Sequence, residues 1–293
     1  MVIKKILVTG GAGFVGSHLC EELSKNPGNE VYSLDNYHTG RTENHVKGVN
    51  YIRGDTSEIS NFINFCPDRV YHLGEYSRVE QSFEDSELVF KFNLTGTNAV
   101  LEFCRRNNCK IIYAGSSTKF GDDGEGPNQS PYGWSKSINT ELIVNYGNWF
   151  GLNYAITYFY NAYGPRELSE GKYATVIGIF SKQMEQGKPI TVVSPGIQRR
   201  NFTHVKDIVS GLITVGDFGE GDNFGIGSDD QYSILEVAEM FSEKIQFLPE
   251  RKGNRKNASV KTEKTKNLGW SPKVCLEDYI LNYKKSIEGS TKC

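Results

Sequence analysis

The sequence lacks any hydrophobic run long enough to cross a membrane. A bilayer-spanning helix needs roughly 20 consecutive apolar residues, and no stretch of the 293 residues approaches that length. Residues 1–5 lead directly into a strand pattern and contain no apolar core of a signal peptide. We therefore expect a cytoplasmic protein that does not bind membranes.

An excess of charge of either sign is also missing. The chain has 33 Lys and Arg against 35 Asp and Glu, which gives a formal net charge of −2. Proteins that bind nucleic acids usually carry a clear basic surplus or a basic stripe. The charge balance therefore gives no reason to expect a nucleic-acid partner.

Paired cysteines are absent as well. None of the six cysteines forms a CxxC pair, and none stands at metal-ligand spacing from any of the five histidines. We expect reduced thiols, as in a reducing compartment, and no metal site. The cysteines are Cys20, Cys66, Cys104, Cys109, Cys275 and Cys293.

The first half of the chain alternates short apolar runs, rich in β-branched residues, with longer helical patterns. Strands buried on both faces and separated by helices indicate a parallel sheet, because parallel neighbours need crossover connections. The predicted strands are residues 6–8, 31–34, 51–53, 70–73, 110–114 and 154–159, and the predicted helices are 14–25, 88–107 and 132–151. The fold class is α/β, a Rossmann-type doubly wound parallel sheet.

Beyond residue 160 the strands become shorter, and glycine and proline are more frequent. Helices are predicted at residues 174–185, 205–215 and 233–243, the last opening with the capping box of Ser233 and Glu236. We predict a cofactor domain over residues 1–160 and a smaller substrate-binding domain over residues 161–293, with the chain crossing between them.

A glycine-rich loop follows the first predicted strand. Gly10, Gly13 and Gly16 lie where the strand turns into a helix, and Gly11, Gly13 and Gly16 also satisfy G-x-G-x-x-G. Glycine lets a pyrophosphate approach the backbone, and the following helix offers unpaired N–H groups to the phosphates. A tight strand–helix turn without a ligand would give the same pattern.

Acidic residues follow the second and third predicted strands. Asp35 comes 19 residues after Gly16, where a carboxylate can bond the ribose hydroxyls of a dinucleotide. A carboxylate there repels a 2′-phosphate, so NAD is favoured over NADP. Asp55 could meet the adenine edge. Both residues also suit simple turns, and for Asp55 the two interpretations are evenly balanced.

A tyrosine and a lysine stand four residues apart on a predicted helix. Tyr132 and Lys136 therefore share one helical face. A phenol with an ordinary pKa of roughly 10 is a weak base at neutral pH, but a neighbouring cation favours the phenolate. Such a base could remove a hydroxyl proton while a nicotinamide takes the hydride. Upstream, Ser116 ends the fifth strand and could hold the reacting oxygen, although serine also caps strand ends.

The ordered motifs resemble the extended short-chain dehydrogenase/reductase superfamily, in particular nucleotide-sugar epimerases of the UDP-galactose 4-epimerase type. The resemblance extends over nearly the whole chain. Its motifs are VTGGAGFVGSHL at residues 8–19, VYHLG at 70–74, NLTGT at 93–97, SPYGWSK at 130–136, FYNAYGPR at 159–166, RNFTHVKD at 200–207 and LGWSP at 268–272.

The resemblance implies roles for individual residues. The catalytic set is Ser116, Tyr132 and Lys136. Implied cofactor contacts are Gly10, Gly13, Phe14, Val15, Gly16, Asp35, Asn36, Asp55, Thr56, Leu73, Gly74, Asn93, Tyr132, Lys136 and Phe159. Implied substrate contacts are Ser77, Ser117, Asn161, Arg200, Arg251 and Ala258. Arginine suits this last role because its planar fork grips phosphate oxygens in pairs.

The sequence departs from the pattern of these relatives in three places. The 4,6-dehydratases carry an Asp-Glu pair directly after the catalytic hydroxyl, whereas this chain has Ser117 and Thr118, which argues against dehydration. Residues 75–78 read Glu-Tyr-Ser-Arg instead of a small or lysine-containing run, which suggests an unusual sugar. Ala258 stands where a bulky residue often narrows the pocket, so an N-acetylated or enlarged sugar would fit.

These features together predict an NAD-dependent nucleotide-sugar 4-epimerase acting on a UDP-hexose or UDP-N-acetylhexosamine. The alternatives are a 4-dehydrogenase or 4-keto reductase with net redox, and, further from the pattern, a 4,6-dehydratase or a non-catalytic NAD-binding protein. By resemblance, the helices at residues 88–107 and 132–151 would pair in a homodimer.

Overall fold

The computed structural model describes residues 3–120, 125–249 and 260–290. Thirteen strands are found in these ranges. They are β1 (Lys4–Thr9), β2 (Asn29–Asp35), β3 (Val49–Arg53), β4 (Arg69–His72), β5 (Lys110–Ser116), β6 (Tyr154–Phe159), β7 (Ala162–Tyr163), β8 (Ile190–Val193), β9 (Arg199–Asn201), β10 (Thr203–His204), β11 (Gly221–Ile226), β12 (Gln231–Ser233) and β13 (Ile245–Leu248).

Ten α-helices lie in the same ranges of the chain. They are α1 (Phe14–Ser24), α2 (Ile59–Phe62), α3 (Ser86–Val89), α4 (Gly96–Asn107), α5 (Pro131–Phe150), α6 (Val176–Glu185), α7 (Val205–Phe218), α8 (Ile234–Phe241), α9 (Glu263–Lys266) and α10 (Leu276–Ser290). Within the described part of the chain, no helix is both long and apolar enough to span a bilayer.

Seven strands form one parallel sheet in the order β11-β6-β5-β4-β1-β2-β3. The β-branched and aliphatic residues of β1, such as Ile6 and Val8, are buried because helices cover both faces of the sheet. On one face α2, α4 and α5 pack around Leu101 and Ile143. On the other, α1 and α7 pack around Leu19 and Leu212. The predicted doubly wound α/β fold is confirmed.

The chain after residue 160 forms a second, smaller group of helices and strands beside the sheet, and it also adds one strand to the sheet itself. There α6, α8 and α10 pack against β8 around Phe180, Val237 and Ile280. The edge strand β11 pairs with β6, and α7 covers the sheet beside α1. The chain therefore returns to the sheet after α6 and β8 and then leaves it again to build α8 and α10. This crossing places residues from both halves at one edge of the sheet.

The predicted helix over residues 88–107 is not one regular α-helix. A π-helical segment, Phe90–Thr95, joins α3 to α4. The wider turns of a π segment often occur at functional sites. Here Asn93 lies in this segment and its amide bonds the backbone of Tyr76, with Oδ1 accepting from the Tyr76 N–H at 2.7 Å.

Candidate active site

A cavity of about 650 Å³ opens at the carboxyl ends of the sheet strands. Ligands in doubly wound folds bind at this edge. Most of the residues singled out in the sequence line it together: Gly10, Gly13, Phe14, Val15, Gly16, Asp35, Asn36, Thr56, Leu73, Gly74, Ser77, Ser116, Ser117, Tyr132, Lys136, Phe159, Asn161 and Arg200. These positions, which are spread over nearly 200 residues, meet in one place.

The glycine loop leaves space where any larger residue would collide. Gly10 has φ +74°, and a Cβ there would lie 2.9 Å from the backbone of Gly74. A Cβ on Gly16 would lie 2.0 Å from the carbonyl oxygen of Gly10. The first turn of α1 follows directly, and its residues Phe14, Val15 and Gly16 line the cavity. The first backbone N–H groups of a helix have no partner within the helix. The loop is a cradle that fits a dinucleotide pyrophosphate.

Asp35 ends β2 at the border of the cavity. Its side chain is buried and accepts hydrogen bonds from the Ala12 N–H at 2.9 Å and the Tyr37 N–H at 2.8 Å. Burial raises the pKa of this carboxyl, while the two N–H groups oppose that rise. The carboxyl thus ties the glycine loop to the end of β2, and its position fits the adenosine ribose of NAD.

Two of the expected cofactor contacts do not line the cavity. Asp55 caps the short helix Thr56–Glu58 by accepting from the Ser57 N–H at 3.0 Å, and it bonds Asn36 at 3.4 Å. Asn93 is fully buried behind the cavity wall, where it also donates to Ser135 Oγ at 2.9 Å. Both residues support neighbours that border the cavity.

The start of α5 brings the expected base and its cation to the cavity. Ser130 caps the helix by accepting from the Gly133 N–H at 3.0 Å, and Pro131 occupies the first turn. Tyr132 and Lys136 follow one helical turn apart, and both line the cavity. This is the arrangement that lets one side chain move a proton while the other supplies charge.

The end of β5 supplies hydroxyl groups to the same cavity. Ser116 is nearly buried, and its Oγ accepts from Thr118 Oγ1 at 2.9 Å. Ser117 and Thr118 line the cavity beside it. The last residue of β5 and the two residues after it therefore offer hydroxyl groups and no carboxyl group.

A buried glutamate, which the sequence analysis noted only as a departure, contacts the lysine. The Lys136 ammonium donates to Glu75 Oε2 and to the carbonyl oxygen of Ala114. The two charged side chains are only 6% and 2% exposed. Glu75 Oε1 accepts from Thr97 at 2.7 Å, from Asn139 at 2.8 Å and from the Tyr113 hydroxyl at 3.0 Å. The carboxylate is therefore held by four donors.

A second group of residues missed in the sequence analysis includes Tyr76, Arg78 and Tyr173, which line the cavity. Arg78 donates through Nε and Nη2 to the Tyr173 carbonyl oxygen, at 2.9 and 2.6 Å. Asp85 accepts from the hydroxyls of Tyr76 and Tyr173, at 2.8 and 2.9 Å. These bonds join the segment after β4 to the loop after β7. The only hint in the sequence was the unusual run at residues 75–78.

The expected substrate contacts come from the second half of the chain. Asn161 has φ +37° and donates to the Asn201 carbonyl oxygen at 2.8 Å. Arg200 lies on β9, which pairs with β12, and its side chain reaches the cavity. Arg251 and Ala258 lie outside the described residues.

A family model described as the NAD dependent epimerase/dehydratase family matches residues 6–227. The matched range contains the glycine loop, Asp35, the Tyr132–Lys136 helix and Arg200. The chain belongs to this family. Its cofactor is NAD, in agreement with the cradle at Gly10–Gly16 and with the carboxyl at the end of β2.

The relatives and solved structures similar to this chain are named for more than one reaction. UDP-glucuronic acid decarboxylase 6 of Arabidopsis thaliana is 32% identical over 94% of this chain and 86% of its own length. UDP-glucose 4-epimerase of Thermotoga maritima with UDP-glucose has a TM-score of 0.88 at 26% identity, covering 96% of this chain and 99% of that one. UDP-glucuronic acid 4-epimerase of Bacillus cereus, with UDP-glucuronic acid and NAD, has a TM-score of 0.85 at 28% identity, covering 97% and 99%.

Proposed function

We propose that this enzyme inverts C4 of a UDP-hexose or UDP-N-acetylhexosamine through a transient 4-keto sugar. The observation that carries the proposal is the set of groups around the Tyr132 hydroxyl site. The cavity brings a phenol, an ammonium group and hydroxyl side chains together, while the two positions after Ser116 offer no carboxyl group. Such a site suits proton removal from one alcohol and lacks a second acid–base pair there.

When bound, NAD would supply a reversible hydride acceptor for the sugar carbon. The glycine loop and Asp35 would hold its pyrophosphate and adenosine ribose. Tyr132 would take the proton of the C4 hydroxyl, and Ser116 would hold the C4 oxygen by a hydrogen bond. Arg200 and Asn161 would hold the substrate diphosphate while the keto sugar rotates in the cavity. Tyr132 then returns its proton to the C4 oxygen, and C4 is inverted.

Decarboxylation of a UDP-uronate is the second candidate, since a relative 32% identical is named for it. Both reactions begin with oxidation at C4. A 4-keto uronate is a β-keto acid, which loses CO₂ and then needs an acid to protonate C5. The hydroxyls of Ser117 and Thr118 are poor proton donors for that step. The absence of a carboxyl group at positions 117 and 118 therefore favours the epimerase.

The test is incubation of purified protein with UDP-glucose, UDP-N-acetylglucosamine and UDP-glucuronic acid, without added cofactor. We expect the protein to carry NAD(H) and at least one substrate to give its C4 epimer, seen by NMR. Release of CO₂ with a UDP-pentose would establish the decarboxylase instead. Stoichiometric accumulation of NADH with a released keto sugar would establish the 4-dehydrogenase.

A further inference from the structure

Glu75, which forms a buried ion pair with Lys136, is a charged group of the site that the proposed reaction does not use. Both side chains are almost fully buried, and Glu75 lies 61 residues before its partner. Burying a charge is costly unless it is paired and hydrogen-bonded. The carboxylate meets that condition through Thr97, Asn139 and Tyr113, in addition to the ammonium group.

This network leaves the lysine little freedom. An ammonium group has three N–H donors. In Lys136 one of them bonds Glu75 and a second bonds Ala114, which leaves one for a cofactor hydroxyl or for the phenol. The Tyr113 ring lies 4.5 Å from the ammonium group and closes another side. The contacts therefore hold the lysine nitrogen in one place before any ligand binds.

We propose that Glu75 is a positioning residue for the Tyr132–Lys136 pair: it holds the ammonium group in place and cancels most of its charge beside the phenol. The proposal rests on the proposed function only in taking Tyr132 as the base. Because the carboxylate offsets the charge of the lysine, two other cations remain near the phenol to favour the phenolate. These are the Arg78 guanidinium and, when bound, the oxidised nicotinamide ring.

Burial keeps the histidine and tyrosine side chains around the pair uncharged near neutral pH. Burial lowers the pKa of His72 to about 4, so its ring is neutral. Burial also raises the pKa of the Tyr113, Tyr76 and Tyr173 hydroxyls, which stay protonated. Burial raises the pKa of Glu167, which faces Arg78, to about 7. Among the described residues facing the pair, Glu75 is thus the carboxylate in direct contact with the ammonium group.

Glu75→Gln tests the proposal, because it keeps the shape and one accepting oxygen but removes the negative charge. Ionisation of Tyr132 is followed by ultraviolet difference titration of tyrosinate, subtracting the matching Tyr132→Phe protein, with NAD⁺ bound and with it removed. We expect the midpoint to fall by about one pH unit. The acidic limb of the profile of kcat against pH should shift to lower pH by a similar amount, while KM changes less than about twofold.

Asp222→Asn is the matched control. Asp222 also pairs with a lysine, Lys119, and accepts from a tyrosine hydroxyl, Tyr158 at 2.6 Å, but it lies outside the cavity. It should leave the Tyr132 midpoint and the kcat profile unchanged. An unchanged midpoint and profile in Glu75→Gln would overturn the proposal.

A second variant decides if Glu75→Gln does not fold. Tyr113→Phe keeps both charges and removes one of the three donors to Glu75 Oε1. A severalfold lower kcat at unchanged KM supports positioning, and a wild-type kcat overturns it. The titration needs no substrate. If no nucleotide sugar is turned over, the proposed function fails, whereas the titration still decides the role of Glu75.

Discussion

At the scale of single residues, the proposed chemistry depends on the Tyr132 phenol, which lines the cavity beside Lys136. The spacing of Tyr132 and Lys136 is local, so a helical pattern predicts that they share a face. The contact between Lys136 and Glu75 is not local. The sequence contained the glutamate, but no periodicity connects positions 75 and 136.

Tyr132→Phe should lower kcat by about 10²- to 10⁴-fold, since general acid–base catalysis is typically worth that much. Bound NAD(H) should remain, because the ring still fills the same wall of the cavity. The measurement is turnover of the best substrate, with the cofactor content of the purified protein determined by absorbance.

Tyr146→Phe is the control on the same helix. The Tyr146 hydroxyl donates to Glu102 at 2.9 Å and lies outside the cavity, so turnover should be unchanged. A fully active Tyr132→Phe protein would refute the assignment of the base.

At the scale of elements, the first turn of α5 sets the position of the reacting groups. Ser130 and Pro131 are the residues that sequence rules prefer at a helix start, and the structure begins the helix there. The π segment Phe90–Thr95 was not predicted, because its apolar spacing reads as ordinary helix. The turn widens where Asn93 reaches the backbone of Tyr76, which is a tertiary contact.

Ser130→Ala should destabilise the protein by about 1 kcal/mol, the usual contribution of a helix cap. It should also lower kcat severalfold, because the turn that it fixes carries Tyr132. Urea unfolding gives the stability, and steady-state kinetics give the activity.

Ser233→Ala provides the comparison. Ser233 caps α8 by accepting from the Glu236 N–H at 3.1 Å, in a complete capping box, and does not line the cavity. A similar loss of stability with unchanged kcat is expected. Equal losses of kcat in both variants would show that stability, and not the position of α5, explains the effect.

At the scale of the whole molecule, stability should depend on pH through buried histidines. Burial lowers the pKa of His72 to about 4, and its ring is held by Thr9 at 2.7 Å and Thr97 at 2.9 Å. An unfolded histidine titrates near 6.5. At this position the unfolded chain therefore binds more protons between these values, and the contribution of His72 to stability is lost as the pH falls from about 6.5 to about 4.

For a fully buried ring this loss amounts to about 3 kcal/mol, from roughly 2.5 pH units at 1.36 kcal/mol each. Urea unfolding across this pH range measures it. His72→Gln should flatten the dependence, whereas His45→Gln, at an exposed ring, should not. The same slope in His72→Gln as in the wild type would contradict the prediction.

We propose that two chains pair through the helices that carry Tyr132 and Asn93. Large apolar side chains are exposed there, with Trp134, Ile138 and Trp149 at helical spacing on α5 and Phe90 in edge contact with Trp134. An exposed apolar stripe on a helix suits a partner helix.

Light scattering at micromolar concentration should show a dimer. Ile138→Glu should shift it toward monomer, because a charge would be buried in the interface. Phe218→Glu, at an exposed site on α7, should leave it unchanged. A monomeric wild type would rule out the dimer, and a dimeric Ile138→Glu protein would rule out this interface.

The sequence by itself determined the features that depend on near neighbours. Strand and helix periodicity predicted the doubly wound sheet, and the glycine spacing with Asp35 predicted the NAD cradle, because turns, caps and helical faces are set within a few residues. Only the tertiary structure decided which distant residues meet. Glu75 contacts Lys136, which lies 61 residues further along the chain, and Arg78 contacts Tyr173, which lies 95 residues further along. Such contacts depend on how whole layers pack, which no local pattern records.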